Sequence, residues 1–170
     1  GFGSLLKFLD RTVLMRSLIV TAILAPALTI TNQYDALFGP ARLQLLPLDI
    51  ALVTPFVVVT LSQLLATDRA WKDLRIQPSG GSPETFIQTI FGHGIPMRAF
   101  VVASLVGMIN TTLILARLYL DTGQFSGAPV ANIAQTFVLP LAFGLLSQAL
   151  AYRRAIWESP VRRPGEWARV

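Results

Sequence analysis

The chain is predicted to fold as an all-α integral membrane protein. Four transmembrane helices form two repeated hairpins of parallel orientation, each preceded by a short amphipathic helix. Three observations predict this. Of its 170 residues, 53% are hydrophobic and 14% charged, with a mean hydropathy of +0.58, which is too apolar for an ordinary soluble domain of this length. Four apolar runs are each about 20 residues long, enough for a helix to cross a ~30 Å hydrocarbon layer. The runs also form a duplicated pattern. Met15-Arg16-Ser17-Leu18 opens one and Met97-Arg98-Ala99-Phe100 opens another 82 residues later. Val53-Thr54-Pro55, Leu61-Ser62-Gln63 and Arg69-Ala70 match Val138-Leu139-Pro140, Leu146-Ser147-Gln148 and Arg154-Ala155 at an offset of 85, so the second copy's connection is three residues longer.

The first span, residues 12–33, carries a single charge, Arg16 near its start, and Asp10 stands where an N-cap belongs. It is read as a retained helix, not a signal peptide: the cleavage-like site at Ala25 is followed by Pro26, and a matching segment recurs in the chain interior. The second span, 45–66, contains Pro47, Asp49 and Pro55, with its most apolar part from Ile50 to Ala66. Spans at 96–119 and 129–152 repeat the pair. Phe2 to Leu9 and Glu84 to Phe91 are the short amphipathic stretches, expected at the bilayer interface. Gln77-Pro78-Ser79-Gly80-Gly81-Ser82-Pro83 is the linker, so residues 1–76 and 84–158 are the two hairpin repeats and 159–170 a basic tail.

Orientation follows from the basic residues. Lys7, Arg11 and Arg16 precede the first span; Arg69, Lys72, Arg75 and Arg98 lie between the second and third; Arg153, Arg154, Arg162, Arg163 and Arg169 follow the fourth. That places 12 of 14 on one side, with Arg42 and Arg117 on the other. The positive-inside rule then predicts a multi-pass protein of the bacterial inner membrane with both termini and the linker in the cytoplasm. Two even-numbered copies inserted the same way imply a pseudo-two-fold axis along the membrane normal. The net charge of +5 is clustered beside apolar runs, which points to lipid headgroups and away from nucleic acid as the partner.

Polar residues inside the spans are the candidates for function. Ser17, Thr21, Ala25, Thr29 and Asn32 recur at helical spacing in the first span, and Ala99, Ala103, Gly107, Asn110 and Arg117 form the counterpart in the third. Two readings stand: small residues permit close helix packing, or the polar members line a substrate path. Arg117 also suits snorkelling to the outer interface. Pro55 and Pro140 occupy matching places and predict kinks; a break there would aim free N–H groups into the bundle, where an anion could use them. Ser62-Gln63 and Ser147-Gln148, two turns on, complete a polar lining or stitch helices together. Arg16 and Arg98 open their spans as headgroup anchors or as paired guanidinium forks for a planar oxyanion.

No cysteine is present, which excludes thiol catalysis and cysteine metal sites, and His93 in Gly92-His93-Gly94 is read as a loop residue, not a ligand. No metalloprotease motif, P-loop, nucleophile elbow or dinucleotide fingerprint occurs, so neither an enzyme nor a metal or cofactor is expected.

Asn32-Gln33-Tyr34-Asp35-Ala36-Leu37 after the first span, followed by a second span with an internal proline and Ser62-Gln63, resembles the small bacterial nitrate/nitrite transporters of the NrtS type. Those are single hairpins with a sequence similar to Ile-Asn-Gln-Gly-Asp at the end of the first span. The resemblance covers about residues 10–70 and returns more weakly over 92–156. It implies functional positions at Asn32, Gln33 and Asp35. Asp35 would repel an anion at close range and suits capping or pairing with Arg42.

The expected function is therefore transport of a small inorganic oxyanion, nitrate or nitrite, between the two hairpins. Nitrate is flat, singly charged and weakly basic, which suits amide, hydroxyl and guanidinium donors. The candidate binding residues are Arg16, Thr29, Asn32, Gln33, Ser62, Gln63, Arg98, Asn110, Thr111, Arg117, Ser147 and Gln148. Four short spans make a thin shell, so a homo-oligomer or neighbours in a membrane complex are expected. The rival expectation is an accessory or structural subunit of a larger membrane complex.

Overall fold

The structure is a computed structural model that describes residues 2–32, 39, 45–76, 84–128 and 130–158. Among these there is no strand. A one-turn helix, α1 (Phe2–Leu5), runs into a 3₁₀ turn at Leu6–Phe8. Then come α2 (Arg11–Asn32), α3 (Leu45–Ile76), α4 (Phe86–Phe91), α5 (Ile95–Thr122) and α6 (Val130–Glu158). The helices α2, α3, α5 and α6 are each long and apolar enough to cross a membrane.

Local chemistry sets the helix ends. The Asp10 carboxylate accepts the Val13 N–H at 2.8 Å, the N-cap expected of it. Thr85 and Gln88 exchange side-chain and backbone hydrogen bonds in a capping box that starts α4. Gly94, at φ +70°, turns the chain into α5, and Gly123, at φ +74°, ends it.

Two helices outrun the expected spans. At 32 residues, α3 is about 48 Å long at ~1.5 Å per residue, and it continues ten residues beyond Ala66. The reason lies in its polar end: Arg69 Nε meets Asp73 Oδ1 at 2.9 Å and Lys72 Nζ meets Asp68 Oδ2 at 3.0 Å, pairs one turn apart that support a helix outside the apolar layer. At the same end α6 runs six residues past 152, because Tyr152, Ala155 and Ile156 remain in the core. Both prolines lie inside continuous helices, so neither creates the free helix N-terminus that a break would.

In cross-section the order is α2, α3, α6, α5, with α3 and α6 at the centre and α5 also against α3. Small residues make the central crossing possible: Ala66 and Ala70 of α3 share a core with Ala149, Ala151 and Ala155 of α6. Leu74, Ile95, Tyr152 and Ile156 enlarge that core toward the polar end, where Phe86 and Ile90 of α4 close over it. The outer faces of α2 and α5 stay apolar, with Leu18, Ile19, Ile23, Phe100, Leu105 and Ile109 exposed, as a surface wetted by lipid requires.

Candidate functional site

Both predicted stripes face neighbouring helices. On α2, Ser17, Ala25 and Thr29 are buried; on α5, Ala99, Ala103, Gly107 and Asn110 are. Their upper and lower parts do different work.

In the first hairpin the stripe is a complete hydrogen-bond knot. Ser17 Oγ donates to the Val13 carbonyl at 3.0 Å, and accepts from Thr60 Oγ1 at 2.7 Å and Gln63 Nε2 at 3.1 Å. A hydroxyl has one proton and two lone pairs, so Ser17 is fully used. Gln63 Nε2 also reaches the Val13 carbonyl at 3.3 Å, and Thr21 Oγ1 donates to the Ser17 carbonyl at 2.7 Å. These bonds tie α3 to α2. Among the described residues Gln63 Oε1 has no partner.

The matching place in the second hairpin is built from charge. Arg98 Nε donates to Gln148 Oε1 at 3.0 Å, and Arg98 Nη1 to the His93 carbonyl at 2.7 Å. Arg98 Nη2 and Gln148 Nε2 are buried donors without partners among the described residues. Gln148 is fully buried, as is Ser62, whose Oγ is also unpartnered. Ser62 Oγ lies 3.6 Å from where a Cβ on Gly144 would stand, and Gly144 is one turn before Gln148 and against Ala99. Three unsatisfied donor groups thus share one neighbourhood of α3, α5 and α6. Each costs about 1–3 kcal/mol if left unpaired, so they are poised for an acceptor ligand.

A second cation stands nearby. A Cβ on Gly94 would lie 2.9 Å from Arg98 Nη1 and 3.9 Å from Arg69 Nη1, so the missing side chain lets both guanidinium groups approach the same turn. Arg154 is within electrostatic reach of Arg16 and Glu158. Arg16 is half-buried.

The remaining candidates divide. Asn110 Nδ2 donates to Thr54 Oγ1 at 2.9 Å, joining α5 to α3. Thr111 Oγ1 meets Thr136 Oγ1 of α6 at 3.5 Å, and Ser147 is half-buried. Gly107 is a packing residue, since a Cβ there would stand 2.7 Å from Cγ of Phe137. Arg117 is exposed and paired with Asp121 at 3.2 Å, one turn on, so it does not join the buried stripe although it lies on the same helix face as Ala99. Gln33, the Asn32 side chain, Asp35, Arg42, the 77–83 linker and the 159–170 tail lie outside the described residues.

By the sequence offsets, the counterparts of Asn110 and Thr54 are Leu28 and Leu139. Together with Leu24, Ala27, Gln135 and Phe143 they line a groove of about 280 Å³ between α2 and α6.

A cluster that sequence reasoning missed closes the polar end. His93 Nε2 is 2.6 Å from Glu84 Oε1 and its Nδ1 is 3.5 Å from Asp73 Oδ2. Its ring stacks on Tyr152 at 4.1 Å, and Tyr152 Oη donates to Asp73 Oδ2 at 2.7 Å. Thr89 Oγ1 donates to Glu84 Oε1 at 2.8 Å, and Arg153 Nη1 to the Glu84 carbonyl at 2.8 Å. His93 does sit in a loop, as expected, at φ +57°. The one available signal was a lone histidine between two glycines. Its partners come from α3, the chain before α4, and α6, a convergence no spacing announces. The two carboxylates lie at opposite ring nitrogens, and among the described residues no group of three histidine or acidic side chains converges to hold a metal.

Comparison with protein-family models, with curated proteins and with solved structures returned no match to this chain.

Proposed function

We propose that the chain is a membrane transporter for a small inorganic oxyanion, with nitrate and nitrite as the first candidates. The observation that carries this reading is the set of buried, unpartnered donors Arg98 Nη2, Gln148 Nε2 and Ser62 Oγ beside the cation pair Arg69 and Arg98. Guanidinium, amide and hydroxyl donors match the oxygens of a flat, weakly basic anion, and binding it would satisfy groups that otherwise cost energy.

The reading includes two same-way-up repeats in a bacterial inner membrane, termini cytoplasmic, with the path between the hairpins. Pairing of equivalents supports it. The sequence offsets match Arg16 with Arg98 and Arg69 with Arg154. Arg98 and Arg69 of the first hairpin approach one turn, and Arg154 of the second lies within electrostatic reach of Arg16, so the matched arginines interact across the two hairpins. Such an exchange is what a pseudo-two-fold axis along the membrane normal produces. The short helices α1 and α4 would lie at the cytoplasmic interface.

The test is nitrate or nitrite flux into liposomes carrying the purified full chain. Ser62→Ala removes a hydroxyl that bonds to nothing among the described residues, so folding should be unaffected while KM rises about tenfold, the loss of one hydrogen bond to a charged ligand. No flux from the wild type, together with stoichiometric co-purification of other membrane proteins, would replace this reading with that of an accessory subunit.

A further inference from the structure

We infer that His93 is a proton-binding site, and that its proton is the coupling ion of the anion site; the second half rests on the transport reading above. Both ring nitrogens face carboxylate oxygens, Nε2 toward Glu84 at 2.6 Å and Nδ1 toward Asp73 at 3.5 Å. Carboxylates only accept. A neutral imidazole has one N–H, so it can serve one of the two and turns a bare lone pair toward the other; the imidazolium donates to both. Proton uptake converts one arrangement into the other, adding H⁺ to the ring and changing nothing else covalently.

The charges around the ring are mixed. From α3 come Asp73, its partner Arg69, and the Asp68–Lys72 pair; from the chain before α4, Glu84; from α5, Arg98; from α6, Tyr152 and Arg153. The two carboxylates touch the ring nitrogens, so protonation strengthens the clamp between α3 and the 84–94 segment. The ring is 23% exposed, which leaves it open to proton exchange at the polar end of the bundle.

The link to the anion site is short. The His93 carbonyl accepts from Arg98 Nη1, and Arg98 carries the unpartnered Nη2. His93 holds φ +57°, in the left-handed region that few non-glycine residues adopt, and its ring contacts help to hold it there. Loss of the Asp73 contact removes one such restraint and frees the turn, and Arg98 with it. The protonated state therefore presents Arg98 to the anion, and the two charges travel together as an electroneutral pair.

Two measurements on the full chain test this separately from transport itself. In liposomes with an internal pH dye, an inward nitrate gradient should carry protons inward, and the flux should rise toward acid by roughly tenfold per pH unit where the site is unsaturated. His93→Asn, which tolerates the left-handed turn and keeps the backbone carbonyl, should still pass nitrate but lose most of that pH dependence. Nitrate flux without proton movement, or an unchanged pH profile in His93→Asn, overturns the inference and leaves the transport reading standing. If no nitrate moves at all, the transport reading and the coupling fail, and nitrogen-15 spectra of the single histidine decide the proton site. Two protonated ring nitrogens under acid conditions, with a titration displaced in both Asp73→Asn and Glu84→Gln, support it; a ring indifferent to both changes refutes it.

Discussion

Replacing Gly107 by alanine should loosen the α5–α6 contact even though alanine is the better helix former. The new Cβ would stand 2.5 Å from Cε1 and 2.7 Å from Cγ of Phe137. Carbons in contact sit at about 3.5–4.0 Å, so ring and methyl must separate by about 1 Å. Turning the ring off its rotamer costs about 0.5–1.5 kcal/mol for a ~30° displacement. Moving the helices apart instead stretches the Asn110–Thr54 and Thr111–Thr136 contacts that flank the position. Overpacking a dense interface costs about 1–3 kcal/mol, against which the intrinsic preference for alanine over glycine returns up to about 1 kcal/mol. A net loss of about 1–2 kcal/mol is expected. The assay is reversible unfolding in mixed detergent and SDS micelles, read by helicity, on Gly107→Ala, Phe137→Leu and the pair. Phe137→Leu trims the obstructing ring, so the double variant should be more stable than the sum of the singles predicts, by about 1 kcal/mol. A Gly107→Ala protein as stable as the wild type, or strictly additive energies, would refute the close approach.

Two further perturbations address other joints. The Asn110–Thr54 bond should show a coupling of about 0.6 kcal/mol, and no more than about 1.7, in a cycle of Asn110→Leu and Thr54→Val measured by the same unfolding assay. Asp10→Ala should destabilise by about 1 kcal/mol and speed hydrogen exchange at the Val13 amide, which that carboxylate caps, while the α5 amides keep their protection.

The parts of the fold legible in the sequence are those governed by local physics. Helix existence follows from length and apolarity, and α2 begins where Asp10 stands because its carboxylate meets the Val13 N–H. Two helices run on past the spans ending near Ala66 and residue 152 because hydropathy marks only the apolar stretch, whereas helices persist on ion pairs such as Arg69–Asp73. The inward stripes on α2 and α5 were legible through their small residues, since Ala99, Ala103 and Gly107 are where a neighbour can come close. Arg117 shows the limit: spacing put it in line with Ala99 on the stripe, yet at that place it is exposed and pairs with Asp121 instead.

What the sequence by itself determined is therefore a chain of four apolar helices, their approximate limits, the doubled pattern and the side on which positive charge gathers. Tertiary structure decided which polar atoms end up alone and which are paired. Gln63 and Gln148 occupy matching positions, yet one completes a knot around Ser17 and the other leaves an amide free beside Arg98, because Ser17 became Ala99 in the second copy. It also decided that His93 lies between Asp73 and Glu84. The physical reason is one of range: hydropathy and capping act within a few residues and can be summed along the chain. Hydrogen bonding among Arg98, Gln148, His93, Asp73 and Glu84 depends on three helices and a turn arriving at one place.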